Sequence, residues 1–189
     1  MKSVLYNKIE TIIKKSKFIT ITYNINNIDE VKTKLNEISD IYKDATHICY
    51  AYIINNQEKC SDNGEPSGTA GMPILNVLKK ENLNNVLCVV IRYFGGIKLG
   101  TGGLVRAYSK ACKDSLNIIE LKKGYLIKII FDYENVEKIN YYLKNCNIIS
   151  KEFLNKIVYL VNITIDEYNN IINNLNSLSE TEKVKDIYL

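Results

Sequence analysis

At 189 residues and 46% hydrophobic composition, the chain can build one large domain or two small ones around a real core. No apolar run approaches the roughly 18 residues of a membrane span, no signal-like stretch follows Met1-Lys2, and a cytoplasmic protein is expected. The formal net charge of +4 is uneven: residues 1–123 hold 18 Lys/Arg against 12 Asp/Glu, residues 124–189 hold 7 against 9, so the basic excess lies in the first part, where a phosphate-seeking surface or an ordinary solvated lysine face would put it.

In chain order, residues 4–12 and 18–23 read as a hairpin around the basic bend Lys14-Lys15-Ser16-Lys17. Residues 28–41 place Ile28, Val31, Leu35 and Ile38 on one face, with Asp29 and Glu30 where the dipole favours them, and predict a helix covering a sheet. Residues 44–54 alternate, with His47, Cys49, Ala51 and Ile53 on one side and Ile48, Tyr50, Tyr52 and Ile54 on the other. The small residues of the first side imply close packing beneath another element.

The polar stretch 55–71 reads as one long loop, of a length that in compact domains is functional or mobile. Within it, Asp62 and Glu65 could bind a cation or act as acid and base, yet Asp62-Asn63-Gly64 is also good turn chemistry. Residues 72–80 predict a helix that tolerates Pro73 in its first turn.

The organising stretch is 85–115. Its apolar run, Val86 to Ile91, is expected to be a central strand buried on both faces. Arg92-Tyr93-Phe94 then leads into a segment with five glycines in nine residues, 95–103. From Leu104 an apolar stripe (Leu104, Val105, Tyr108, Ala111, Cys112, Leu116) predicts an amphipathic helix, with Arg106, Lys110 and Lys113 on another face.

Strand, glycine loop and helix start bring unpaired N–H groups, the positive end of a helix dipole and cations into one neighbourhood. Two readings fit: an anion site, or a tight turn whose glycines serve packing. The anion reading takes Lys17, Arg92, Gly95, Gly96, Lys98, Gly100, Thr101, Gly102, Gly103 and Arg106 as contacts. The loop is neither a Walker A nor G-x-G-x-x-G.

After a short strand at 118–121 and a boundary at Lys122-Lys123-Gly124, the remainder predicts strand 125–131, helix 134–145, strands 147–154 and 157–165, helix 167–178 and a short strand near 184–188. That order is β-α-β-β-α-β, the ferredoxin-like split. The expected domains are 1–122 and 124–189, in the α+β class, and the second is assigned packing or partner binding. His47, the only histidine, is read as a structural residue or a weak catalytic candidate beside Asp62 and Glu65. With five scattered cysteines and no CxxC, neither a metal nor another cofactor is expected.

Four stretches together, Lys14-Lys15-Ser16-Lys17-Phe18-Ile19, residues 44–52 (DATHICYAY), residues 61–74 (SDNGEPSGTAGMPI) and residues 92–108 (RYFGGIKLGTGGLVRAY), resemble the YigZ/IMPACT family, in its bacterial two-domain layout. The resemblance implies an N-terminal α/β sandwich like domain 2 of ribosomal protein S5 and a C-terminal ferredoxin-like domain similar to one at the end of elongation factor G. It also implies a link to translation, because eukaryotic relatives regulate the kinase that responds to uncharged tRNA. Those relatives carry an added RWD module, which is not expected here. Asn63 stands where the family often has aspartate and Met72 where it often has a basic residue, which weakens a two-carboxylate metal scheme and removes one phosphate contact.

Three functions follow as expectations. The first is an RNA- or ribosome-associated binding protein linked to regulation of translation, holding phosphate at the glycine loop, with translation-associated proteins as further partners. The second is an enzyme acting on a small phosphorylated ligand. The third is a protein-interaction module. The sequence leans away from an enzyme and names no catalytic residue with force.

Overall fold

In the computed structural model, which describes residues 1–55 and 57–189, the chain divides into two units: Lys2–Glu120, and Leu121–Leu189 together with Met1. Asn56, part of the stretch expected to be a loop, lies outside the described residues. Helices and antiparallel sheets mix in both units, an α+β protein. Among the described residues no helix is long and apolar enough to cross a membrane.

The first unit runs β1 (Lys2–Val4), β2 (Asn7–Ile13), β3 (Ser16–Asn24), α1 (Ile28–Ile41), β4 (His47–Ile54), β5 (Gln57–Ser61), α2 (Gly71–Lys80), β6 (Val86–Tyr93), α3 (Thr101–Ser115) and β7 (Ile118–Glu120). Five strands form one antiparallel sheet in the order β2-β3-β6-β4-β5. The apolar run of β6 makes it the middle strand, because both its faces are covered. Val86, Cys88 and Val90 pack with Ile74, Leu78, Leu104, Tyr108 and Ala111 of α2 and α3. Leu87, Val89 and Ile91 pack with Val31 and Ile38 of α1. The small side of β4 lies where it was expected to, with Cys49 and Ala51 beneath the two-helix layer.

Three local expectations change. The first predicted strand is two: Leu5 and Tyr6 are exposed, and β1 leaves to pair with β7 in a separate ribbon. The basic bend tightens to Lys14 and Lys15, with φ of 46° and 66°. A two-residue turn with both φ positive suits Asn-Gly, and each lysine there costs about 1–2 kcal/mol. The long loop contains β5, a polar edge strand paired with β4. Its Gln57, Glu58 and Lys59 show no apolar alternation because their side chains are exposed to water.

Helix starts are chemically distinct. Asn27 caps α1 by accepting from the Glu30 N–H at 2.9 Å. Helix α2 has no side-chain cap of its own, as Ala70 stands at its N-cap. Asp62 supplies one from a distance: its carboxylate accepts N–H bonds from Gly68, Ala70 and Gly71 at 2.8, 2.9 and 2.8 Å. Pro73 sits in the first turn, as predicted.

The second unit runs β8 (Lys123–Phe131), a 3₁₀ turn (Tyr133–Asn135) into α4 (Val136–Tyr142), β9 (Asn147–Phe153), β10 (Ile157–Thr164), α5 (Ile165–Asn176) and β11 (Glu180–Tyr188). The sheet order is β11-β8-β10-β9, all antiparallel. One face packs Ile127, Ile129, Phe131, Tyr159 and Val161 against Ile139, Leu143 and Leu175. Thr164 and Glu167 close a capping box on α5. The last strand is longer than its apolar content predicts. It pairs along β8, and the Lys183 ammonium rests 4.0 and 4.5 Å from the rings of Tyr125 and Tyr168.

Burial works against the charge of Asp62, but the three backbone bonds outweigh it and hold the carboxyl below its ordinary 3.8. A lowered folded-state value means that the stability from Asp62 is complete above that ordinary value and fades as pH falls through the lowered one. Asp62→Ala should cost about 2–3 kcal/mol at neutral pH in urea unfolding. The gap between the two proteins should close at acid pH, and a gap independent of pH would contradict this role.

Candidate functional site

Register across the sheet lines up Thr11, Phe18, Arg92 and His47 as successive cross-strand neighbours. The side chain of Phe18 belongs to the cluster under α2 and α3, so Arg92 and His47 project on that same side. The turn at 62–65, with Asn63 at φ 42° and Gly64 at φ 82° and the Glu65 N–H bonded to the Asp62 carbonyl at 3.0 Å, delivers Glu65 beneath the same layer.

Glu65 is the hub. Its Oε1 lies 2.6 Å from Arg92 Nη1 and accepts the Tyr108 hydroxyl at 2.8 Å, with both charged side chains almost wholly covered. Arg92 Nη2 donates to Ser16 Oγ at 3.2 Å, and the same hydroxyl accepts the Gly95 N–H at 3.3 Å. The guanidinium sits 5.6 Å from the ring centres of both Phe18 and Phe94. His47 Nδ1 is 2.8 Å from the Asn63 carbonyl, which assigns the proton to that nitrogen, while Nε2 lies 3.9 Å from Glu65 Oε2. The Cys49 sulfur is 2.9 Å from the Asp62 carbonyl, and burial pushes its thiol up to about 12. Burial likewise raises the Tyr108 hydroxyl far above its ordinary value.

The weak catalytic candidates therefore have structural occupations. Asp62 caps α2, Glu65 neutralises a buried arginine, and His47 props the turn between them. Arg92 leaves the expected phosphate-contact set: it is buried and committed to Glu65 and Ser16. Gly95 leaves it as well. A Cβ there would stand 1.9 Å from the Lys15 carbonyl oxygen, so this glycine lets the hairpin turn press against the loop. Lys17, one residue out of phase with Phe18, points to the α1 side and lies 4.7 Å from the Tyr93 ring.

The rest of the expected set stays together in the open. Gly96, Lys98, Gly100, Thr101, Gly102 and Arg106 are exposed, and Gly103 is half-buried. Gly96 and Gly100 take φ of 83° and 71°, which few other residues would accept. Helix α3 begins without a side-chain cap, and among the described residues no acceptor engages the N–H groups of Thr101, Gly102 or Gly103. Arg106 Nη1 passes 3.5 Å from where a Gly102 Cβ would stand, so the side chain folds back along the helix toward that start. Among the described residues no ion pair engages Lys98 or Arg106. Nor do any three His, Cys, Asp or Glu side chains among them form a group able to hold a metal.

Sequence reasoning missed Ser16 and Tyr108, the one read within a basic bend and the other as part of an apolar stripe. Cross-strand register brings Ser16 near Arg92 and helix packing brings Tyr108 onto Glu65, and a single chain displays neither.

The Impact N-terminal domain model matches residues 14–116. The IMPACT family member YvyE of Bacillus subtilis is 40% identical over 165 residues, 84% of this chain and 74% of that protein. The IMPACT family member YigZ of Escherichia coli is 39% identical over 109 residues, 55% of this chain and 53% of that protein, so the match spans about half of that relative's length. The crystal structure of a hypothetical protein superposes with a TM-score of 0.63 at 25% identity, covering 97% of each chain.

Removing one partner of a buried ion pair leaves the other uncompensated. Glu65→Ala should cost about 3–5 kcal/mol in urea unfolding. Glu65→Ala combined with Arg92→Met should recover much of that loss. Additive losses in the double variant would show that the two charges act separately.

Proposed function

The chain belongs to the IMPACT family, and from that premise we propose that it is an RNA- or ribosome-associated binding protein linked to regulation of translation. Its phosphate contacts are Lys98, Arg106 and the backbone at Gly96, Gly100, Thr101, Gly102 and Gly103. Eukaryotic members of the family regulate translation, which supports the biological half of the reading. The observation that carries the chemical half is the uncapped, exposed start of α3 with two cations beside it.

Magnitudes favour a polymer. A charge-assisted hydrogen bond nets about 1.5–3 kcal/mol, so two or three fall short of the roughly 8 kcal/mol that micromolar affinity requires. One phosphate at this turn binds weakly, and several in a chain bind usefully. The alternative, an enzyme acting on a small phosphorylated ligand, is disfavoured because the carboxylates of Asp62 and Glu65 are already occupied.

The same premise carries an architectural reading: the first unit is a ribosomal protein S5 domain 2-like sandwich, and the second a ferredoxin-like domain akin to the end of elongation factor G. The strand order β11-β8-β10-β9 with two helices on one face supports the second assignment.

Full-length protein titrated with a labelled single-stranded RNA at low salt should bind with an affinity that falls by a log–log slope of about 0.7 per phosphate contacted. Lys98→Ala and Arg106→Ala should each weaken binding about tenfold and reduce the slope by about 0.7. No binding at low salt, or binding indifferent to salt, would sink the proposal.

A further inference from the structure

We propose that the groove between the β2–β3 turn and α3 is a second phosphate-contact station, and that the ligand is consequently a single-stranded RNA running lengthwise along α3. This inference rests on the RNA reading above and extends it to surface outside the glycine loop.

The groove has a volume of about 190 Å³ and is lined by Ile13, Lys14, Leu99, Arg106, Ala107 and Lys110, with Gly103 at one end. Three of those side chains are cations and none is a carboxylate. The nearest paired acid, Asp114, meets Lys110 at 2.7 Å as an exposed i,i+4 pair, which a phosphate can displace because such pairs are weak in water. Lys14 has no ion-pair partner among the described residues.

Size decides what kind of ligand fits. Whole small molecules occupy pockets of roughly 300–1,000 Å³, and this groove is smaller, suited to one unit of something longer. Its floor of Ile13, Leu99 and Ala107 is apolar and so accepts a sugar or base face while the cations at the rim take phosphates. In a duplex the bases are stacked away from such a floor, whereas a single strand can lay them against it.

Spacing supplies the direction. Gly102, Arg106 and Lys110 follow one another at four-residue intervals, about one helical turn apart and about 12 Å end to end. Arg106 belongs to both stations, since it lines the groove and also folds back over Gly102 toward the open N–H groups. A strand leaving the start of α3 meets Arg106 next, and then Lys110 with Lys14 opposite.

The test uses the full chain and a labelled oligouridylate at several salt concentrations, comparing Lys14→Ala/Lys110→Ala with the control Lys43→Ala/Lys80→Ala. The control removes two exposed lysines away from the groove. The groove pair should lower affinity at least tenfold and reduce the salt slope by about 1.4, at about 0.7 per contact, with an unchanged melting temperature. The control should do far less. Equal losses in both pairs would mean diffuse charge attraction and overturn the groove. Unaltered binding by the groove pair would overturn it too, while leaving the α3-start reading in place. Failure of the unaltered protein to bind would remove that underlying reading, and equal binding of duplex RNA would overturn the single-strand assignment.

Discussion

A carboxylate and a guanidinium held together out of water organise the first unit. Neither Glu65 nor Arg92 is stable alone beneath α3, because desolvating one charge costs several kcal/mol unless an opposite charge and further hydrogen bonds compensate it. The pair therefore specifies where its carriers go. Arg92 comes from the end of the central strand, Glu65 from the turn before α2, Tyr108 from α3 and Ser16 from the hairpin, so one interaction joins four distant segments. The surrounding groups obey it. Asn63 and Gly64 adopt positive φ to bring Glu65 inward, and His47 braces that turn.

The outer surface inherits its shape from this buried arrangement. Ser16 accepts the Gly95 N–H as well as the Arg92 guanidinium, which fastens the glycine loop to the Lys14-Lys15 turn. That fastening requires Gly95 to lack a side chain. The loop then continues outward and opens α3 with amides that have no partner among the described residues. The groove lined by Lys14 and Arg106 borders that same loop, with Leu99 in its wall. A buried ion pair thus supports exposed cations without touching them, and the division of labour is physical: paired charges go inside, unpaired ones remain in water.

The two kinds of glycine in this loop illustrate why composition alone misleads. Gly95 is needed for a close backbone approach, whereas Gly96 and Gly100 are needed for positive φ. Gly102 belongs to neither kind, since its φ is not positive and a Cβ there would meet the Arg106 guanidinium only at an ordinary 3.5 Å contact. Of the five, Gly96, Gly100 and Gly102 are exposed, while Gly95 and Gly103 are half-buried. Close packing falls to Gly95, and the exposed glycines leave the outer side of the loop open.

By itself the sequence determined most element types and the family: alternation in β4, the all-apolar β6, the amphipathic helices, and the run of signature stretches through 61–74 and 92–108 were all legible, because each signal is local and periodic. Polar edges were not. β5 and most of β11 lack the apolar rhythm that marks a strand, since backbone pairing to a neighbour is what makes them strands. Which cations face water was decided by tertiary structure alone. Arg92 and Lys17 look equivalent to Lys98 in a chain of letters, but strand phase sends Lys17 to the α1 side and the buried carboxylate of Glu65 withdraws Arg92. Pairing between residues 27 positions apart depends on the sheet register and the turn that closes over it, and no short-range pattern encodes that distance.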